Sequence, residues 1–307
     1  MTHKPVLLKE TIDSLAVKSG GVYVDGTLGR AGHAREILAR AGTGARLVGI
    51  DRDAQALAES AELLGNVPGV TLAHGCHGDI ARIVRDAGID AVDGVLLDLG
   101  VSSPQLDEAG RGFSFRADGP LDMRMDRTRG ETAADLVATR SEEELADILR
   151  TFGEEPNARR IAKAIVRARG NARIETTAQL ATLVEQTVGR SGAHHPATRT
   201  FQAIRMAVND EMGELERALA GGLDLLKTGG RFAVITFESL TDRTVKRFFA
   251  AHAGKMVSLQ QGGERWEGDL PKVRLLTRHA VTASEEEIEM NPRARSAKLR
   301  TIERIEV

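Results

Sequence analysis

Short apolar runs and helical stretches alternate through the first hundred residues, and this rhythm constrains the fold more tightly than any other feature of the chain. Val22-Tyr-Val24 leads into a glycine-rich loop, and residues 34–40 then read as helix. A second apolar run over 45–50 ends at Asp51 and is followed by a helical stretch over 54–64, a third run over 70–73 and a helix near 80–86. The fourth run, 92–97, ends on Asp98. Brief apolar runs of this kind are strands covered on both faces, and strands separated by helices pair in parallel, with helices on both sides of the sheet. Ligands of open sheets bind beyond the carboxyl ends of the strands, which is where Asp98 stands.

The rhythm stops after about Asp107. From there to roughly Asn209 the sequence offers helices and loops and no convincing strand. Ser141 with Glu144 is a capping box that opens a helix through Leu145, Ile148 and Leu149. Ala158, Ile161, Ala162, Ile165 and Val166 form one apolar helical stripe; Leu180, Leu183, Val184 and Val188 form another. Phe201, Ile204, Val208, Met212, Leu215 and Leu219 mark a long helix that stops at Lys227-Thr-Gly-Gly230, where a glycine supplies a left-handed cap. Residues 231–237 are then a fifth strand and 273–281 a later one. The expected organisation is an α/β, doubly wound, Rossmann-like sheet in two parts, residues 1–106 and 210–307, with an all-helical insert over 107–209.

The loop Asp25-Gly-Thr-Leu-Gly-Arg-Ala-Gly-His33 lies between the first strand and the first helix of the alternation. Glycines there let the backbone pass close to a ligand, and the helix N-terminus offers N–H donors. The spacing Gly26, Gly29, Gly32 is not G-x-G-x-x-G, so the loop marks a nucleotide-like ligand without specifying a dinucleotide. Asp51, at the end of the second strand, is where an acidic group holds ribose hydroxyls; the alternative is a solvated carboxylate in a turn. His74, Cys76 and His77 bunch at a strand end, but three neighbours lacking a distant fourth ligand make a poor tetrahedral site, and no metal is expected. Cys76 is the single cysteine, so no intramolecular disulfide can form, which fits a reducing cytoplasm. Early charges break the N-terminal apolar run, and no run approaches membrane-spanning length, so a cytoplasmic protein with no membrane partner is expected.

The most specific stretch is Asp98-Leu-Gly-Val-Ser-Ser-Pro-Gln105, continued through Gly112-Phe-Ser-Phe-Arg116 to Leu121-Asp-Met-Arg-Met-Asp126. With His3-Lys-Pro-Val-Leu-Leu-Lys-Glu10 and Asn291-Pro-Arg-Ala-Arg-Ser-Ala-Lys-Leu-Arg300 at the two ends, the chain resembles the bacterial 16S rRNA (cytosine-N4) methyltransferases of the RsmH/MraW type along nearly its whole length. The resemblance implies a class I fold, S-adenosyl-L-methionine as cofactor, and cofactor contacts at Ala31, Gly32, His33, Asp51, His77, Asp98 and Gln105. His77 stands where the family usually has an aromatic, mostly Phe, and Ala31 replaces a more usual glycine. Glu238 and Thr241 stand where the family usually has His and Glu. The implied reaction is methylation at N4 of a decoding-centre cytidine of 16S rRNA in the small ribosomal subunit, and the family is compatible with a homodimer. Methyl transfer from a sulfonium needs positioning more than activation, whereas the cytosine amine has its lone pair drawn into the ring. An acceptor for its N–H bonds at the tip of the fourth strand eases attack, and Asp98 is the candidate catalytic residue. Ser102 and Ser103 are polar positioners or simple turn formers. DNA amino-methyltransferases carry an Asp/Asn-Pro-Pro-aromatic motif at this strand end, which this chain lacks.

Net charge is only −2, but residues 157–174 carry Arg159, Arg160, Lys163, Arg167, Arg169 and Arg173 with no acidic residue. Arg160, Lys163 and Arg167 share one helical face and are the expected RNA-binding residues; the alternative is an ordinary solvated face. His194-His-Pro-Ala-Thr-Arg-Thr-Phe201 also matches the family, and Arg293, Arg295, Lys298 and Arg300 form a further basic cluster. Between Asp107 and Gly130, five acidic and five basic residues cancel. Two rival functions remain at this level: a nicotinamide-dependent dehydrogenase, disfavoured by the glycine spacing, and a non-catalytic RNA-binding ribosome assembly factor with a vestigial pocket.

Overall fold

A computed structural model describes residues 5–190, 195–258, 264–267 and 270–306. His3 and His194 of the family-like segments lie outside the described residues. The chain divides into two compact units, one made of residues 1–100 and 213–307, the other of residues 101–212.

The first unit is built on β1 (Val22–Asp25), β2 (Arg46–Asp51), β3 (Val70–His74), β4 (Val92–Asp98), β5 (Leu226–Thr236), β8 (Val273–Leu275) and β9 (Lys298–Arg304), with a separate antiparallel pair, β6 (Lys255–Ser258) and β7 (Glu264–Glu267). The seven strands lie in the order β3-β2-β1-β4-β5-β9-β8. The first five run parallel, whereas β9 pairs antiparallel with both β5 and β8. From β1 the chain winds outward through β2 to β3, and then returns to the other side of β1 for β4. That reversal is the topological switch point, and in an open sheet it opens a crevice beyond the carboxyl ends of β1 and β4. Val95, Leu96 and Leu97 in the middle of β4 are fully buried, as expected of a strand covered on both faces. On one face Tyr23, Leu47, Leu96, Ala233 and Ile235 join Ile12, Leu15, Ala34 and Ile37 of the helices Leu8–Leu15 and Gly32–Ala41 in one apolar core.

Three expectations for this unit change. The long helix breaks into Ala197–Val208 and Glu211–Leu225. At the break, Asn209 accepts a hydrogen bond from Met125 N–H (2.8 Å) and donates to the carbonyls of Met123 and Arg205, while Asp210 adopts φ +46°. Lys227-Thr-Gly-Gly230 is not a helix cap: the helix ends at Leu225, and these residues form an irregularity in β5, where the pairing with β4 slips between Val92 and Gly94. Gly230 suits that slip, because a Cβ there would lie 3.1 Å from Val92 O and 2.8 Å from Lys227 O. The strand expected over 273–281 is only β8, with Val281 adding one isolated bridge to Leu299.

Among its described residues, the second unit is helical around a core of its own, which includes Leu136, Leu145, Leu149, Ile161, Ile165, Leu180, Val184, Phe201 and Ile204. Ser102, Thr132, Ser141 and Thr176 each form a reciprocal capping box that satisfies two backbone donors at a helix start. The loop between the first two of these helices is held by buried charge. Arg111 donates to the carbonyls of Arg124 and Met125, Asp122 accepts from Arg124, and Asp126 accepts from Thr128 and Arg129.

Candidate cofactor and active site

Asp25 is the last residue of β1 and pairs with Gly49 of β2 and with Leu96 of β4. Side chains alternate along a strand, so Asp51 and Asp98, each two positions beyond those partners, share the face of Asp25 as its diagonal neighbours. Three carboxylates therefore meet at the carboxyl end of three adjacent strands, two of them on the strands that flank the switch point.

Their environments differ. Asp51 Oδ2 accepts from Gly29 N–H (2.7 Å) and Oδ1 from Asp53 N–H (2.8 Å), so the second strand end ties down the glycine loop. Burial holds Asp51 above the usual carboxylate range, against these two hydrogen bonds. Asp25 is 1% exposed; Oδ1 accepts from Thr27 N–H (3.1 Å), and burial, with Asp51 close by, pushes the group up to about 7. The Thr27 hydroxyl accepts from Asp98 N–H (2.6 Å), so one residue of the loop touches the ends of both β1 and β4. Burial and the adjacent Asp25 push Asp98 up to about 7 as well, and Asp98 Oδ1 is buried with no hydrogen-bond partner.

The glycine loop leads into the helix Gly32–Ala41, whose first turn directs backbone donors back at the loop. Ala31 precedes it at φ +57°, a left-handed conformation in which glycine is the unstrained residue. Ala31 N–H is already bonded to Leu28 O (2.8 Å). Gly32 lies against Pro5, so close that a Cβ would fall 2.2 Å from the proline Cγ. His33 is buried in the first turn. Its Nε2 donates to Val6 O (3.1 Å), and Nδ1 stands 3.8 Å from Asp98 Oδ2. Gly26 sits directly on β4, and His77 approaches the same loop from beyond β3, its Cβ 3.5 Å from where a Gly26 Cβ would stand. Burial, with Arg52 and Arg217 nearby, lowers His77 to about 3, so the ring is neutral, and its buried Nε2 has no hydrogen-bond partner. His74 is turned to Arg52 O.

Six of the seven expected cofactor residues thus gather around one loop and three strand ends. The seventh, Gln105, belongs to the second unit, where its Oε1 accepts from Ser102 N–H in a capping box. Asp25 and Thr27 are additions to the expected set. The signal for Asp25 was its place at the end of a strand, just as for Asp51 and Asp98. The unpartnered buried polar atoms Asp98 Oδ1 and His77 Nε2 fit a ligand with both polar cationic and aromatic heterocyclic parts.

The helix Ala158–Arg169 exposes Arg159, Arg160, Lys163 and Arg167, none paired with a carboxylate among the described residues; Arg160 donates to Thr187 O (2.7 Å). Arg169 and Arg173 are committed elsewhere, to the carbonyls of Val137 and Arg140 and to Asp135. The expected C-terminal basic cluster is corrected more sharply. Lys298 and Arg300 are on β9 and both pair with the buried Asp242, Arg300 Nε at 2.7 Å. Thr241 is buried beside that pair, and Glu238 precedes the helix Ser239–Ala253.

A dinucleotide-binding sheet has the order 3-2-1-4-5-6 and is mostly parallel. Here β9 enters antiparallel beside β5, and that departure, with the acidic switch point, marks the S-adenosylmethionine-dependent methyltransferases of class I rather than a dehydrogenase. Within that class the chain belongs to the MraW methylase family, whose sequence profile matches residues 1–305. Its relatives include the "Ribosomal RNA small subunit methyltransferase H" of Methylobacterium nodulans, 52% identical over 307 residues, with 98% of this chain and 90% of that one covered. The protein of the same name from Geobacter sp. (strain M21) is 48% identical, with 99% of this chain and 98% of that one covered.

Proposed function

We propose that the protein methylates N4 of a decoding-centre cytidine of 16S rRNA, with the small ribosomal subunit as its substrate and the cytoplasm as its compartment. The observation that carries the chemistry is Asp98, a carboxylate at the switch point with one buried oxygen left without a partner. Such an oxygen accepts an N–H of the exocyclic amine, draws the nitrogen lone pair out of conjugation and takes up or relays the proton lost on transfer. S-Adenosylmethionine, when bound, supplies the activated methyl group. Asp51 and the glycine loop would hold the ribose end, His77 would lie against the adenine, and Ala31, Gly32, His33, Asp98 and Gln105 would complete the contacts. The base must leave its stack to reach such a pocket. The helical unit serves as the RNA-recognition part, and the exposed Arg160, Lys163 and Arg167 neutralise phosphates. Among the described residues no helix is long and apolar enough to cross a membrane.

The test is transfer of labelled methyl to small subunits lacking this modification, with free 16S rRNA and DNA alongside, followed by nucleoside mass analysis. N4-Methylcytidine on subunits alone is the expected result. Absence of transfer to all three substrates, with the cofactor still bound, would favour the assembly-factor reading. A homodimer, which the family resemblance allows, is tested separately by sedimentation.

A further inference from the structure

Asp25 is buried and Asp98, about a quarter exposed, has one buried oxygen beside it, with little to balance their charge. Asp25 is 1% exposed, and its Oδ1 accepts from the Thr27 N–H and hydroxyl. Asp98 Oδ1 has no hydrogen-bond partner. Asp51, the third carboxylate, differs, because two backbone N–H groups meet its oxygens and Arg52 acts on it. From the helix Gly32–Ala41, His33 faces Asp98 with Nδ1 at 3.8 Å, its other nitrogen held by Val6 O. From β5, Ile235 stands beside Asp98 in the sheet, and the helix Leu8–Leu15 keeps Lys9 and Asp13 outward, paired with each other and with Arg40. Asp25 and Asp98 are diagonal neighbours on one face of the sheet, each carboxylate makes ionisation of the other harder, and one bound proton relieves the repulsion.

We propose that Asp25 and Asp98 hold a single proton between them in the ligand-free protein and release it to solvent when a ligand with a cationic amino-acid end enters. Uptake of cofactor and loss of a proton are then one event. Before binding, the pair carries one negative charge; afterwards it carries two, set against the ammonium, and for S-adenosylmethionine against the sulfonium as well. Asp25 becomes a binding residue in its own right. The proposal rests on the assignment of Asp98 as a cofactor contact and adds the shared proton to it. Near neutrality both groups sit in the titrating range: burial, then Asp51, raises Asp25, and burial, then Asp25, raises Asp98.

The test is calorimetric titration with S-adenosylhomocysteine, which keeps the ammonium, in buffers of different ionisation enthalpy. Release approaches about one proton near pH 6, falls to about half at pH 7 and vanishes above about pH 8.5, while affinity weakens about tenfold from pH 8 to pH 6. Adenosine, which lacks the charged end, releases none. Asp25→Asn binds S-adenosylhomocysteine without release. In the ligand-free wild type, carboxyl carbon-13 resonances of labelled aspartate show a coupled pair titrating near neutrality. This arm needs neither ligand nor variant. Two aspartates titrating in the ordinary range would overturn the shared proton. A shared proton without release on binding would overturn the coupling and remove Asp98 from the cofactor site, and equal release with adenosine would overturn the role of the cation.

Discussion

Gly26 is where the glycine loop presses on β4, and replacing it with alanine gives a defined perturbation. The added Cβ would stand 2.5 Å from Leu97 Cδ2, with His77 Cβ and Ile80 Cδ1 already at 3.5 and 3.6 Å. Carbon atoms rest at about 3.5–4.0 Å, so roughly 1 Å must be found. Leu97 cannot supply it by retreating: it is fully buried on β4, which is bonded to β1 on one side and β5 on the other. The loop must lift instead, and with it Thr27, which touches the ends of both strands. Overpacking of this kind costs about 1–3 kcal/mol. A displacement of about 1 Å at reacting groups lowers kcat/KM by roughly a hundredfold. Urea denaturation and methyl transfer measure the two effects on Gly26→Ala. Gly29→Ala is the control for backbone strain, since Gly29 has φ +51° but its Cβ would meet only Thr27 O at 3.9 Å. The decisive comparison is a double-mutant cycle with Leu97→Ala, which itself costs about 2–5 kcal/mol. In that background the clash is gone and Gly26→Ala becomes nearly neutral, a coupling of about 1–3 kcal/mol. Additive effects of the two changes would refute the steric argument.

Ala31→Gly removes a left-handed alanine and raises stability by about 1 kcal/mol in urea; a loss of stability would show that the Ala31 methyl packs for more than its backbone costs. Asp242→Asn breaks the charge balance around Arg300 and Lys298 and costs about 3 kcal/mol. Burial raises Asp242, but Arg300 and Lys298 outweigh it and hold the group below its ordinary value. Its contribution is therefore full above the unfolded carboxylate range and fades as pH falls through the depressed value, so variant and wild type converge in acid melts; a constant gap would count against the pairing. Reversal of Arg160, Lys163 and Arg167 to Glu lowers the salt dependence of subunit binding by about two to three units in log–log slope and leaves S-adenosylhomocysteine affinity unchanged. An unchanged slope would remove that face from the RNA interface.

The first four strands and their helices were readable because each strand is a short, mostly apolar run between turns, and in β1, β2 and β4 burial on both faces accounts for that pattern. β9 was not readable, since Lys298-Leu-Arg-Thr-Ile-Glu-Arg304 alternates charge with apolar residues and its cations look like a solvated tail. Arg300 is largely covered and Lys298 is tied down beside it because Asp242, far away in sequence, is buried opposite them. The break at Asn209 was hidden for the same reason: its partners are Met123 and Met125, more than eighty positions earlier. The balanced charges over 107–130 also gain a meaning only in three dimensions, where Arg111, Asp122 and Asp126 are buried fasteners of a loop. In the site, residue types and strand ends were legible, but the common face of three carboxylates depends on strand register.

The last strand in sequence is not the last in the sheet. β9 lies between β5 and β8, so during synthesis β5 has a bare edge until residues 298–304 leave the ribosome. The second unit is one uninterrupted stretch, 101–212, with a core and capping boxes of its own, and it is complete while the surrounding unit still lacks its second half. An unpaired strand edge invites wrong partners, and each residue of delay extends that exposure. A truncation that removes only the final ten residues therefore leaves the candidate site residues in the chain and still deprives the sheet of the strand that joins β5 to β8. For this chain the far terminus sets how long β5 stays uncovered, and β5 lies directly beside β4, the strand that ends on Asp98.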